Sequence, residues 1–405
     1  MANGVAKADP FEASASAIGY VYQLRKALHC AVERYSSGLD WCIAVEAGDD
    51  IEERVKDGTV YYQLKHRAQG VKLTDYSVDL WKTLRIWAHA VSARQIDLDE
   101  TDLLLLTTAE IEPGSAATFL QPTLPGDRDV GKALAALHQA GLQSKNKVIK
   151  KAYEEFSSLT AADQKHLLTR TQIIGQAPDV EAVKDLLMQW AVIAVGRRHA
   201  QSFLQRLEGW FLNRAIGQMR SAEADVVTGD EFDQTFTDLQ NQFRPENLPI
   251  DEDIAALTPD SSEHLNKVFV HQLKLIELSD TRVSIAVRDY IRAFTQRSRW
   301  VNENLLRPGE IGSYERRLVE AWNDVFAEME EKLGTEAAEA EKVAAAKEIY
   351  RWAQQASHRI RRDCGEAFIS KGSFHILADD QRIGWHIDFI ARLIAILEPA
   401  GATTS

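Results

Sequence analysis

Three short strand-like runs lie close together between Trp41 and His66: Trp41 to Val45, Ile51 to Val55, and Thr59 to His66. The gaps between them are only a few residues long, and Asp57-Gly58 stands in the second gap. An Asp-Gly pair between two such runs is a strong short-range hairpin signal, so the segment is expected to pair with itself as antiparallel strands. It also carries acids in the first gap, Glu46, Asp49 and Asp50, and ends in Gln63-Leu64-Lys65.

The flanks read as helices. Residues up to about Ser14, with Pro10, read as a loose arm. From Ala15 to Tyr35 the apolar positions Val21, Leu24, Leu28, Ala31 and Tyr35 recur at helical spacing, and Ser36-Ser37-Gly38 ends the pattern. A second helix is expected from Thr74 to Ala93, with Tyr76, Leu80, Leu84, Trp87 and Val91 on one side, and then a short apolar strand from Leu103 to Thr108. Helix, three strands, helix and strand make an α/β unit of roughly a hundred residues.

Glu112-Pro113-Gly114 and Leu124-Pro125-Gly126 punctuate the next segment, and strand signals then largely disappear. The expected fold class is α+β, with an N-terminal α/β domain over residues 1–125 and a large all-α region over 126–405. A further boundary is expected near 245–262, around Phe243-Arg244-Pro245 and Leu248-Pro249. The expected helices are Val130 to Ala140, Lys147 to Phe156, Ala161 to Leu168, Asp179 to Val195, Gly196 to Met219, Val268 to Leu278, Ser284 to Arg297, Ser313 to Leu333, Ala337 to Ser357 and Ile360 to Ser370.

Charge narrows the function. With 47 basic and 60 acidic residues the net charge is −13, which excludes a polybasic DNA coat, because nonspecific affinity comes from neutralising phosphates. Any nucleic-acid contact must be local and regulated or oligomer-dependent. The cysteines Cys30, Cys42 and Cys364 have no metal-site spacing, and the chain reads as reduced and cytoplasmic. No signal peptide or membrane span is expected from the sequence.

The chemistry sits in the hairpin. Residues two apart on a strand share a face, so Tyr61, Gln63 and Lys65 point one way while Tyr62 and Leu64 point the other. Asp50 opens the neighbouring strand, where its carboxylate would lie close to the Gln63 side chain and the Leu64 carbonyl. Carboxylate, amide and carbonyl oxygens with water are what Mg²⁺ prefers, and Mn²⁺ is the natural substitute. Lys65 would position the attacking water or steady charge on a phosphate. Together these make a phosphodiester hydrolase site. Glu46, which closes the first strand, is ranked above Asp49 as a helping ligand, since Asp49 reads as a turn residue. Glu33 is expected to face solvent. The same residues also fit an acidic solvent-facing hairpin with Lys65 in a surface ion pair.

Residues 17 to 65 resemble a known family. Gly19-Tyr20-Val21-Tyr22-Gln23, then Glu46-Ala47-Gly48-Asp49-Asp50-Ile51, then Tyr62-Gln63-Leu64-Lys65 look like the double-stranded-DNA endonuclease domain of CBASS effectors, within the PD-(D/E)xK superfamily. The resemblance implies a restriction-endonuclease-like domain and a Mg²⁺-dependent DNA endonuclease, with Asp50, Gln63 and Lys65 at its motif positions. Gln63 departs from the usual acid and removes one negative charge, which Glu46 or Asp49 would restore. Gln23 would line the site or cap a packing contact. DNA contacts are expected from Arg67, Lys72, Lys82 and Arg85, which read equally as solubilising charges.

The helical remainder carries aromatic and glycine landmarks. Arg206-Leu207-Glu208-Gly209-Trp210, Asn247-Leu248-Pro249, Ser298-Arg299-Trp300 and the stretch from Gly372 to His386 resemble the C-terminal regions of proteins from three-component ABC/SMC bacterial systems. An endonuclease domain before such a region is the layout of the nuclease subunit of Lamassu-type anti-phage defence. That resemblance implies an SMC-like ATPase partner, a small accessory subunit, and a homo-oligomer, with a tetramer favoured, when active. The alternative is a catalytically inactive DNA-binding or adaptor subunit of the same kind of complex. Trp210, Trp300, Trp322, Trp352 and Trp385 read as packing residues. His375, Asp379, His386 and Asp388 are dense in potential ligands but match no zinc or calcium spacing, and a structural role is expected for them.

Overall fold

The computed structural model describes residues 10–46, 49–68, 70–122, 128–220, 227–334 and 336–397, with side chains from Ala17 onward. The chain divides into two compact units, Met1–Asp238 and Leu239–Ser405. The division expected at residue 125 falls in 123–127, outside the described residues.

The first unit is built on a six-stranded mixed sheet in the order β7-β5-β3-β2-β1-β8. Helix α1 (Pro10–Tyr35) leads into β1 (Trp41–Val45), β2 (Ile51–Val55) and β3 (Gly58–Lys65). These three strands pair antiparallel, with Val45 opposite Ile51 and Ile51 opposite Tyr62. The turn residues are Lys56 and Asp57, one step before the expected pair, because Gly58 is already paired with Val55. Its φ of +145° and the Glu100 carbonyl, only 2.5 Å from where a Cβ would stand, both require glycine there. After the short β4 (Lys72–Leu73), α2 (Val78–Ser92) crosses over to β5 (Thr101–Thr107), which lies parallel to β3 with Leu64 opposite Leu106.

Two expectations fail around these elements. Helix α2 begins at Val78, because Ser77 Oγ accepts from the Thr74 amide at 2.8 Å and holds 74–77 as a turn; Tyr76 is left 51% exposed. Strands also continue beyond residue 125. After β6 (Glu110–Ile111), α3 (Val130–Gln143), α4 (Lys147–Ser158) and α5 (Ala161–Arg170), β7 (Thr171–Ile174) pairs parallel to β5. After α6 (Val180–Val195) and α7 (Ala200–Arg220), β8 (Val227–Thr228) pairs antiparallel to β1. Both edge strands are too short to carry a period-2 signature.

Helices cover the sheet on both faces. Tyr61, Leu103, Leu105 and Ile173 pack with Trp81 and Trp87 of α2, Leu137 of α3, Phe156 of α4 and Leu168 of α5 in one buried cluster. On the opposite face Tyr62 donates to Glu53 Oε2 at 2.6 Å, and Arg34 of α1 pairs with the same buried carboxylate. Arg25 of α1 donates to Glu208 of α7 at 2.9 Å and to the Val180 carbonyl of α6 at 3.1 Å, which ties those three helices together. The buried face of α1 runs through Tyr22, Leu28 and Ala31, and Val21 points outward at 42% exposure.

The second unit is helical among the described residues after α8 (Gly229–Gln242): α9 (Glu252–Ala255), α10 (Val268–Leu275), α11 (Asp280–Asn302), α12 (Glu310–Leu333), α13 (Glu339–Gln355), α14 (Ala367–Asp379) and α15 (Phe389–Leu397). The helix expected at Ile360 to Ser370 lies at Ala367–Asp379 instead. Arg361 explains the shift: its buried guanidinium serves the Asn247 and Leu305 carbonyls and Glu310, at 2.7, 3.0 and 2.8 Å, and this holds 360–366 as a loop. The glycine landmarks are packing sites. A Cβ on Gly372 would meet the Asp289 carbonyl at 2.1 Å, and one on Gly384 would meet the Phe389 ring at 2.0 Å. Trp300 and Trp385 are fully buried, and Trp322 donates to the Gly384 carbonyl at 2.8 Å.

Close approach of α14 to α11 therefore depends on the missing side chain at 372. Gly372→Ala should destabilise the protein by about 1–3 kcal/mol through overpacking. Gly312→Ala, where the nearest atom is 3.8 Å away in α12, should be neutral or stabilising by up to about 1 kcal/mol. Thermal denaturation of the two variants checks the contrast.

Candidate functional site

Strand β2 ends its pairing with β3 at Ile51–Tyr62, while β3 runs on to Lys65. On its other side β3 stays paired with β5, and the Thr108 amide donates to the Lys65 carbonyl at 3.2 Å. Successive peptides on a strand face opposite neighbours, so the Leu64 N–H and C=O turn away from β5, toward the space β2 has vacated. The Asp50 carboxylate occupies that space and accepts from the Leu64 amide at 2.6 Å. A backbone donor that would otherwise lack a partner therefore fixes Asp50 against β3.

Gln63 and Lys65 lie on one face, as the period of two requires, and Lys65 Nζ donates to Gln63 Oε1 at 2.7 Å. The same ammonium stands 3.6 Å from Asp50 Oδ2. Asp50 and Lys65 are partly open to solvent, whereas Gln63 behind them is 3% exposed. Asp50, Gln63 and Lys65 thus form one cluster with an open side and a buried back.

The back of the cluster belongs to Asp49, which is 7% exposed. Its Oδ1 accepts from Gln63 Nε2 and, at 3.1 Å, from the Asp50 amide; its Oδ2 accepts from the Trp87 indole at 2.7 Å. Burial pushes the Asp49 carboxyl up to about 7, the charge of Asp50 adds to the rise, and the indole and amide donors oppose it. The expectation of a mere turn residue at Asp49 is therefore corrected. The signal that sequence reasoning lacks is the donor from Trp87, thirty-eight positions away on α2.

Glu46 stands just after β1 with φ +57°, and its amide donates to the Asp50 carbonyl at 3.2 Å. Burial and the Asp50 charge raise its carboxyl above the ordinary range, while Gln23 and Lys65 pull it back, so Gln23 and Glu46 border the cluster. Glu33 is exposed and pairs with Lys26 and His29.

The four expected DNA-contacting cations lie on the connection after β3, on β4 and on α2, where Lys82 and Arg85 share one side. The Arg67 guanidinium is bound by both oxygens of Asp79, one of them at 2.6 Å. Lys72 is exposed on β4. Lys82 is exposed and Arg85 half-buried on α2, and a turn of 100° per residue sets both across the helix from the Trp87 indole.

Among the described residues no group of three or more His, Cys, Asp or Glu side chains gathers as a metal centre. The donors at the hairpin are of another kind: the Asp50 carboxylate, the Gln63 amide oxygen, the Leu64 carbonyl turned toward them, and Glu46 beside them. All are hard oxygens, and they fit an ion such as Mg²⁺ that takes few protein ligands and keeps several waters. The tail residues do not converge. His375 is fully buried, which pushes its pKa down to about 3, and Asp379 accepts from Lys267 at 3.1 Å and Tyr290 at 3.2 Å. His386 Nδ1 accepts from the Asp388 amide at 3.0 Å, and Asp388 accepts from Lys342 at 3.1 Å.

Residues 269–393 match a family model described as C-terminal domain 7 of the ABC-three component (ABC-3C) systems. The match lies within the second unit and covers Gly372, Gly384 and the buried tryptophans Trp300, Trp322 and Trp385. It supports a place for this chain in a multi-component ABC-3C complex. No curated protein matches the chain. Among the described residues no helix is long and apolar enough to cross a membrane.

The raised Asp49 acid has a definite sign. Its ordinary value is 3.8 and its folded value about 7, so it opposes folding very little below about pH 4 and costs stability increasingly as the pH rises toward 7. In the metal-free protein the Trp87 indole N–H resonance should titrate with a midpoint near 7. That resonance is identified by its loss in Trp87→Phe, and in Asp49→Asn it should no longer move with pH; two-dimensional NMR between pH 5 and 8 measures both.

Proposed function

We propose that this chain is a Mg²⁺-dependent endonuclease of double-stranded DNA, able to use Mn²⁺, that serves as the effector of an ABC-3C anti-phage complex of the Lamassu type. The observation that carries the reading is the convergence at the end of β2: Lys65 lies 2.7 Å from the Gln63 amide oxygen and 3.6 Å from Asp50, which is itself pinned to the Leu64 amide. Three oxygen donors and one ammonium, open on one side, suit metal-assisted hydrolysis of a phosphodiester.

Asp50, Gln63 and the Leu64 carbonyl would hold the ion, with Glu46 able to add a carboxylate. When bound, Mg²⁺ supplies Lewis-acid activation of the phosphate and a more acidic water. Lys65 carries a fixed positive charge at the place where a phosphate becomes more negative, and it needs no reorganisation to stabilise that charge. Asp50 stays close enough to Lys65 to keep the ammonium directed into the open side.

The surrounding charge supports a regulated enzyme. At −13 the chain repels DNA at long range, and the expected DNA-contacting cations are few. Weak individual contacts become effective when several copies act on one duplex, which is the gain a tetramer would provide. The ABC-3C domain in the second unit supports partner subunits; on this reading an SMC-like ATPase and a small accessory protein restrain and release the nuclease. One observation favours a catalytically inactive adaptor instead: Gln63 is neutral, and its amide is already engaged by Lys65 and Asp49.

The test uses the full chain, alone and with its neighbouring gene products, on supercoiled plasmid in Mg²⁺ or EDTA. Wild type should cleave only with the metal, and Lys65→Ala or Asp50→Ala should lower the rate by about 10²-fold or more without changing the melting temperature by more than a few degrees. Cleavage at the wild-type rate by both variants would overturn the site. Protection against phage retained by Asp50→Ala would favour the adaptor.

A further inference from the structure

An amide side chain has two orientations of nearly equal shape, and a ligand site can use only the one that presents oxygen. Gln63 has a partner at each end. Lys65 can only donate, and it faces Oε1 at 2.7 Å; Asp49 accepts from Nε2 on the other side. Turning the amide over would set NH₂ against an ammonium and C=O against a carboxylate. Asp49 is itself held from two directions, by the Trp87 indole at 2.7 Å on Oδ2 and the Asp50 amide at 3.1 Å on Oδ1. All three groups around Asp49 are donors, so its two oxygens act as the fixed centre of the chain Trp87–Asp49–Gln63.

We propose that Asp49 is a positioning residue: it orients the Gln63 amide so that oxygen faces the Asp50–Lys65 opening. Trp87 holds Asp49 in register, which ties the cluster to α2. The inference rests on the nuclease reading of the same cluster for its functional meaning, and its geometric content is independent of it. Partners behind a ligand that fix its orientation and raise its basicity are general in metal sites, and losing one typically costs about 10–100-fold in affinity or activity.

The arrangement predicts a reciprocal exchange. Gln63→Glu alone brings two carboxyl groups into contact in a buried place. Asp49→Asn alone offers a single acceptor oxygen where Gln63 and Trp87 both donate. In the double variant the side chain at 49 can accept from Trp87 with its oxygen and donate its NH₂ to the carboxylate at 63, so that the Asp50 amide alone gives up its acceptor. Each single variant should lose about 10–100-fold in Mg²⁺-dependent cleavage. The double variant should recover most of that loss, and its melting temperature should exceed the value obtained by adding the two single shifts.

Both readouts are taken on the full chain, and the side-chain amide resonance of Gln63, assigned by its loss in Gln63→Glu, should shift in Asp49→Asn. Single variants that fail to fold beside a folded double variant give the same answer as recovered cleavage. A double variant no better than the sum of the singles in melting temperature and in cleavage overturns the proposal, as does Asp49→Ala cleaving like wild type. If wild type cleaves no DNA with or without its partners, the nuclease reading falls, and the melting-temperature cycle still decides whether Asp49 positions Gln63.

Discussion

The candidate site depends on one backbone amide. Strand β3 outruns β2 beyond Tyr62, and the Leu64 N–H is left facing a gap in the ladder. An unpaired buried donor costs about as much as a lost hydrogen bond, and Asp50 removes that cost by accepting at 2.6 Å. The contact fixes where the chain re-enters the sheet after the β1–β2 connection. It therefore also fixes Asp49 one residue earlier and sets Glu46 at the rim. Had β2 begun two residues sooner, Leu64 would have a ladder partner and the carboxylates would be spent on the turn.

Around that amide the fold supplies a dry side and a wet side. The α2 cluster that buries Leu105 and Trp87 brings a low dielectric to Asp49, and the same helix brings the indole that keeps the carboxylate from being orphaned. Toward solvent, Asp50 and Lys65 keep part of their surface. On the nuclease reading proposed above, the desolvated side would support the ligands and the open edge would admit the phosphate. The second unit works by other means. Its charge pairs, Arg361 with Glu310 and Arg297 with Glu315, lock helices and loops, while His375 packs against the Phe269 ring and His386 accepts from the Asp388 amide.

Much of the hairpin is legible in the chain itself. The strand at Trp41–Val45 is an apolar run, and the shared face of Gln63 and Lys65 comes from the two-residue period. Asp49 is not legible, because its role depends on a donor from α2 and on burial, neither of which leaves a local pattern. β7 and β8 escape for a related reason: four and two residues at the sheet edges carry too little alternation, and their pairing comes from partners far off in sequence. The loop before α14 reads as helix by its pattern, whereas Arg361 reaches carbonyls on two other segments and holds it as a loop.

Apart from the two-residue β4, the sequence by itself determined the run of helix, three strands, helix and strand that opens the first unit, the helical character of the second, and the shared face of Gln63 and Lys65, because each rests on interactions within a few residues or on a strict period. Tertiary structure decided which of the neighbouring acids stands behind Gln63, how far the sheet extends past residue 125, and why Gly372 and Gly384 must be glycine. Those outcomes turn on distances between segments brought together only by packing: an indole reaching a carboxylate, a short strand finding an open edge, and two helices approaching so closely that a single methyl group does not fit.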